Sequence, residues 1–181
     1  MNKWNSKSVK SLGKYKIFEI FKEIVENPRN KMEMDFYYLK LSNWTVVVPV
    51  TIDNKFVMVK QFRVGAKKFF YEFPGGLIDK GEEPVDAAKR ELTEETGFFS
   101  ENLKFLGEVY PLPAFQTSKC YIYLAENVKY IGGVSLDAGE DIETVILEKE
   151  EIENLLLNNQ LDNAIMMLAY LKYKYFLCRN I

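Results

Sequence analysis

Two apolar runs lie almost back to back, TVVVPVTI (residues 45–52) and KFVMVKQF (55–62). Between them, Asp53-Asn54 is the kind of pair that makes a tight hairpin turn. A strand with one wet face alternates apolar and polar residues; these two hardly alternate, so they must be covered by protein on both faces. That requirement places them in the middle of a sheet, covered on both faces. The mixture of further helices and strands, without regular alternation, predicts an α/β/α sandwich around a mixed β-sheet. A chain of 181 residues suffices for one such domain with a small extension.

The extension is read at the N-terminus. YKIFEIFKEIVE (15–26) and KMEMDFYYLKL (31–41) flank NPRN, a turn signal, and form a β-hairpin; the first run also fits a short helix. Residues 1–44 are therefore the N-terminal strands and 45–181 the main domain. After the central pair, FFYEF (69–73) leads into Pro74-Gly75-Gly76. Further strands are expected at NLKFLGEVY, KCYIYLAEN and IETVIL, with a glycine-bearing loop over 131–140. Helices are expected over 149–158 and from Asp162 onward. The sharpest helix spans 84–96, where Pro84 suits the first turn and Gly97 the position just past the end.

Composition closes several chemistries. There is no histidine, which removes Ser-His catalysis and histidine metal sites and leaves proton transfer to carboxylates, lysine, tyrosine or metal-bound water. Cys120 and Cys178 are too few for a disulfide framework or a cysteine cage, and both sit among apolar residues, so both read as buried free thiols in a reducing compartment. The net charge of −2 supplies no basic field for nucleic acid. The basic, polar N-terminus lacks the apolar core of a signal peptide, and no stretch is long enough to cross a bilayer, so a cytoplasmic protein is expected.

One stretch demands an explanation: RELTEETG, residues 90–97. At about 100° per residue, Val85, Ala88, Leu92 and Thr96 share the core face of the 84–96 helix. Glu91, Glu94 and Glu95 cluster on the flank, while Lys89 and Arg90 turn outward. Like charges at i,i+3 and i,i+4 oppose the helix, and anions in its last turn oppose its dipole. A solvated acidic face is one reading. The other is a hard divalent cation held by carboxylate oxygens. The residues upstream favour the second, because Gly75-Gly76 let backbone approach a ligand and Glu82 adds another acid.

At this point the sequence resembles the Nudix hydrolases. Gly76 is followed by five residues, then Glu82, seven residues, and Arg90-Glu91-Leu92-Thr93-Glu94-Glu95-Thr96-Gly97-Phe98, which fills every fixed position of that family's box. KQFRVG, YEFPGG, Pro113 sixteen residues after Gly97, and the tail from GEDIETVIL onward resemble the ADP-ribose pyrophosphatase branch, over roughly Tyr15 to Tyr173. The resemblance implies a Mg²⁺-dependent (or Mn²⁺-dependent) hydrolase that splits the diphosphate of ADP-ribose or another nucleoside diphosphate sugar. It also implies a homodimer through the N-terminal strands, where Phe18, Ile20, Phe36 and Tyr38 are apolar. MDFYYLK lacks an arginine found in some members, and YPLPAFQT differs near its proline. Another Nudix substrate therefore stays open: GDP-mannose, a dinucleoside polyphosphate or an oxidised nucleoside triphosphate. So does a non-catalytic sensor.

Residue by residue, the resemblance implies that Glu91 and Glu95 bind metal, with Glu94 beside them and the Gly75 carbonyl completing the site. Arg90 pairs with a box glutamate, Glu82, to fix the carboxylates. The base matches Glu140, with Asp141 and Glu143 as neighbouring alternatives. Arg63 matches an arginine that reaches the diphosphate, with Glu72 grouped beside it on the substrate side or as its strand-end ion-pair partner. Trp44 is placed to stack on a base or to serve as a half-buried structural residue. Pro113 and Phe115 shape the nucleotide or sugar pocket, or form an ordinary turn.

Overall fold

The computed structural model describes residues 2–179, and the chain divides at Asn43. Up to that residue, and again over Tyr110–Lys119, it forms one unit; Trp44–Val109 and the chain from Cys120 form the other.

In the first unit, β1 (Asn5–Lys14), β2 (Phe18–Glu26) and β3 (Glu33–Leu41) make an antiparallel meander. The expected hairpin is β2–β3, in unbroken register from Phe18↔Leu41 to Glu26↔Glu33. Its turn falls at the NPRN signal, where Asn27 Oδ1 accepts the Arg29 N–H and Lys31 takes φ 63°. Residues 18–26 are strand, so the alternative helix does not form there. β1 has no counterpart in the sequence reading. Every residue of it except Gly13 is exposed, so no buried face imposes a period of two, and its pairing to β2 is interrupted by two register shifts. Residues 110–119 return to β3: Leu39 N–H donates to Phe115 O at 2.8 Å, and Thr117 N–H to Leu39 O at 3.0 Å.

In the second unit the strands are β4 (Trp44–Thr51), β5 (Phe56–Arg63), β6 (Lys68–Glu72), β7 (Phe98–Phe99), β8 (Leu103–Val109), β9 (Cys120–Tyr130) and β10 (Ile142–Leu147). The helices are α1 (Pro84–Thr96), α2 (Lys149–Leu157) and α3 (Ala164–Arg179). The sheet order is β10-β5-β4-β9-β7, with β6 beside β5 and β8 beside β9. β4 runs parallel to β9 and antiparallel to β5, so the sheet is mixed. Both faces of the central strands are covered, as their composition requires. Val46, Val48, Phe56 and Met58 join Ile152, Leu161, Met166 and Tyr170 in one core. Val47 and Val57 join Ala88 and Leu92 of α1 in a second core on the other face. Each such fully buried Val or Leu contributes roughly 1.5–3 kcal/mol.

Among the described residues, no helix is long and apolar enough to cross a membrane. The cysteines differ from the expectation. Cys120 is buried, which pushes its thiol up to about 12, but Cys178 is exposed, in a stretch at the end of α3 where the neighbouring residues are exposed too.

Candidate active site

Helix α1 begins and ends as its sequence dictates. Pro84 fills the first turn, and Gly97 takes φ 71° just past the end and sends its N–H back to Thr93 O. Ala87, Ala88 and Leu92 are buried. The three glutamates meet different surroundings: Glu95 is 4% exposed, Glu91 is half-buried, and the Glu94 side chain is 41% exposed.

The loop after β6 is what buries Glu95. Pro74 O accepts the Val47 N–H and Gly76 O accepts the Thr45 N–H, both at 2.9 Å, so Pro74-Gly75-Gly76 lies along β4. Gly75 N–H then reaches Glu95 Oε2 at 2.9 Å. A Cβ on residue 75 would collide with the Thr45 and Val46 backbone, and one on residue 76 with the Glu91 carboxylate. The glycines are required by this close approach.

Burial pushes the Glu95 carboxyl up to about 8, against the pull of the Gly75 N–H; the charges of Glu91 and Glu140 add to the rise. Burial also raises Glu91, offset by Arg90. Two carboxyls that resist ionisation side by side are a place where a cation would be stabilising.

Arg90 corrects the helical-wheel expectation. Its side chain does not turn outward but bends back into the acidic cluster, because a wheel fixes only where Cβ points and the guanidinium lies several bonds beyond. Nε donates to Glu82 Oε1 (2.9 Å); Nη1 donates to Glu91 Oε1 (2.7 Å) and Glu94 Oε2 (3.1 Å); Nη2 donates to Leu77 O (3.0 Å) and Glu82 Oε2 (3.1 Å). All five N–H donors are thereby used. These bonds, Glu82's first, raise Arg90, and the guanidinium together with the Asp79 N–H holds Glu82 below the usual carboxylate range.

Arg63 is anchored by Glu72. Nε lies 3.2 and 3.0 Å from the two carboxylate oxygens and Nη2 lies 2.5 Å from Oε2. Glu72 is 1% exposed and is not among the lining residues of the cavity that Arg63 lines. Its oxygens are occupied by Arg63, Gln61 and Asn163.

Trp44, Arg63, Gly75, Arg90, Glu91, Glu94, Glu95 and Glu140 all line one cavity of about 820 Å³, within the range of small-molecule sites. Glu140 Oε2 accepts the Asp137 N–H at 2.9 Å, and Asp137 lines the same cavity. Asp141 and Glu143 are not among its lining residues; Glu143 sits in the β10–β5 ladder opposite Lys60. Glu82 is held behind Arg90. Pro113 and Phe115 belong to the first unit. There Pro113 lines a groove with Trp4 and Phe36, while Phe115 is bonded to β3 and 48% exposed. Sequence reasoning missed Asp137, Gln61 and Met166, which line the cavity. The first stands three residues before Glu140 and was open to the same loop argument; the others depend on strand and helix placement that no local pattern gives.

Among the described residues, no three His, Cys, Asp or Glu side chains are gathered closely enough to enclose an ion. Glu91 and Glu94 rest on Arg90 instead. The donors at hand are nonetheless all oxygen, in carboxylates and backbone carbonyls, which suits a hard divalent cation. The buried Glu95 and the Glu91 carboxylate cradled on Gly76 fit such a group.

Residues 41–168 match the NUDIX domain model, and the chain belongs to the Nudix hydrolase family. Members of this family generally need a divalent metal. The ADP-ribose pyrophosphatase of Bacillus subtilis is 32% identical over 150 residues, covering 82% of this chain and 80% of its own. The methanol dehydrogenase activator of Bacillus methanolicus is 35% identical over 106 residues, 58% of this chain and 57% of its own. The crystal structure of an ADP compounds hydrolase matches with a TM-score of 0.87 over 99% of this chain and 97% of that one. At 23% identity this last likeness speaks for the fold alone.

Proposed function

We propose that this protein is a Mg²⁺-dependent pyrophosphatase that hydrolyses the diphosphate of ADP-ribose or a related nucleoside diphosphate sugar, releasing a nucleoside monophosphate and a sugar phosphate. The observation that carries the substrate class is the match to the Bacillus subtilis ADP-ribose pyrophosphatase, which extends well outside the box. The cavity agrees with it: the acids of α1, Arg63 and Trp44 are all among its lining residues.

In this reading Glu91 and Glu95 hold the ion, with Glu94 beside them and the Gly75 carbonyl completing the set; Mn²⁺ suits the same oxygens. The ion supplies charge neutralisation for the diphosphate and a more acidic water. Arg90 keeps Glu82, Glu91 and Glu94 together through its five donors. Glu140 takes the proton of the attacking water, its loop held by the Asp137 N–H. Arg63 meets the diphosphate, and Trp44 offers its face to the base. The first unit's sheet pairs two copies, since Phe36 is 41% exposed and Phe18, Ile20 and Tyr38 are half-buried. The compartment is the cytoplasm, where the exposed Cys178 stays reduced.

The test is product analysis of ADP-ribose incubated with the purified protein and Mg²⁺. AMP and ribose 5-phosphate are expected, both lost in Glu95→Gln and in EDTA. Silence on ADP-ribose and across a panel of nucleoside diphosphate sugars overturns the proposal.

A further inference from the structure

We infer that Asn163, just before α3, is a positioning residue for Arg63; the inference rests on the proposed role of Arg63 as the diphosphate contact. It starts from Glu72, whose almost fully buried carboxylate needs every oxygen satisfied. Arg63 approaches from the cavity side, its own side chain half exposed. Two amides complete the set: Gln61 Nε2 donates to Oε2 at 3.0 Å, and Asn163 Nδ2 donates to Oε1 at 2.9 Å. Asn163 is itself fixed, because its Oδ1 accepts the Ile165 N–H at 3.1 Å. The following residue of the chain repeats the attachment, with Phe73 N–H donating to Met166 Sδ at 3.1 Å. The start of α3 thus grips two consecutive residues directly ahead of Pro74-Gly75-Gly76.

The geometry gives this grip a purpose beyond stability. Nε and one N–H of Nη2 of Arg63 are spent on Glu72, and both N–H groups of Nη1 are left on a side chain that lines the cavity. Where Nη1 points depends on the plane of the Glu72 carboxylate, which turns about a single bond with a broad preference. Gln61 and Asn163 hold that plane from opposite oxygens. Without the Asn163 amide, Glu72 and Arg63 can rotate as a pair, keeping their ion pair while the free Nη1 donors lose their aim. Small misplacements of a binding group of this kind are expensive in an enzyme.

Asn163→Ser separates the two jobs of the side chain, since serine keeps an oxygen for the helix start but cannot donate as far as Glu72. The expected result is a KM for ADP-ribose raised about fivefold, the effect of one lost hydrogen bond, with kcat within about twofold. The Kd of α,β-methylene-ADP, measured by calorimetry with Mg²⁺, should rise by the same factor. In an Arg63→Ala background the serine substitution should add nothing to either. Unchanged KM and Kd in Asn163→Ser beside an impaired Arg63→Ala overturn the inference alone, as does a shift that persists without Arg63. An Arg63→Ala protein with parental KM and Kd removes the proposed contact and the inference together, as does a parent protein that neither cleaves ADP-ribose nor binds the analogue. Parallel losses of analogue binding without ADP-ribose turnover keep the inference and overturn only the substrate.

Discussion

Adding one methyl group at either of two adjacent glycines should break this protein in opposite ways. At Gly75 a Cβ would lie 2.9 Å from Val46 Cα and 3.0 Å from the Thr45 carbonyl carbon, with the Thr45 oxygen closer still. Every one of these atoms is backbone in a strand buried on both faces, so none can step aside. Loop and strand must part by roughly 0.5 Å or more, an overpacking that costs about 1–3 kcal/mol. The parting also strains the Thr45 N–H to Gly76 O and Val47 N–H to Pro74 O bonds on either side, at about 1 kcal/mol each. Gly75→Ala should therefore lose about 3–5 kcal/mol, a large share of a typical domain's stability, and melt on the order of 10 °C lower. At Gly76 the atoms nearest the new methyl all belong to the Glu91 carboxylate, with Cδ at 2.5 Å and Oε2 at 2.7 Å. That is the far end of a flexible side chain, and it can swing away. Gly76→Ala should melt within about 3 °C of the parent. It should nonetheless lose at least about a hundredfold in Mg²⁺-dependent kcat, because Glu91 no longer stands beside Glu95. Differential scanning calorimetry and an ADP-ribose hydrolysis assay on the two variants decide the matter. A Gly75→Ala protein as stable as the parent, or a fully active Gly76→Ala, would refute the reasoning.

Three further outcomes are expected. Glu95 has a carboxyl raised from 4.5 to about 8 in the fold, so the folded state binds that proton more tightly than the unfolded chain. The stability it contributes is present below about pH 4.5 and is lost as the pH rises toward 8. The metal-free parent should therefore lose more melting temperature between pH 5 and 8 than Glu95→Gln, and Mg²⁺ should recover most of the difference; equal slopes count against the burial argument. Glu140→Gln should lower kcat at least about a hundredfold while calorimetry still detects Mg²⁺ binding, and near-parental turnover would remove Glu140 as the base. Light scattering at micromolar concentration should report a dimer, and a monomer mass would speak against pairing through the first unit's sheet.

What could be read from the sequence was whatever local chemistry decides. The bounds of α1 follow from Pro84 and Gly97, which act within one turn of themselves. The buried β4–β5 pair follows from its own composition. β1 was illegible because its ten residues bury almost nothing, and backbone pairing to β2 leaves no trace in side-chain pattern. Glu95 reads as a flank residue on a wheel, yet it is buried, because the cover comes from a loop twenty residues upstream. A wheel sets Arg90 outward for a related reason: it stops at Cβ, while the guanidinium follows the acids that surround it. The Gln61–Glu72–Asn163 set needs the β5–β6 pairing and the docking of α3 together, and neither is encoded near those residues.

The parallel pairing of β4 with β9 also governs when this site can exist during synthesis. Trp44 opposes Cys120, and every rung of that ladder joins residues far apart in the chain. Helix α1, which carries the glutamates, packs into a core built partly from Tyr123, Ala125 and Val128. A nascent chain that has released the whole glutamate box still lacks the strand its helix must rest on. Asn163 emerges later again, 91 residues after the Glu72 it bonds. Contacts of such long range slow folding, since the chain must close large loops before any of them is rewarded. An acidic surface ready to capture cations thus appears only once β9 and the start of α3 have been made. Ribosome-bound fragments ending before β9 should expose the RELTEETG segment to proteolysis, and fragments reaching beyond α3 should protect it.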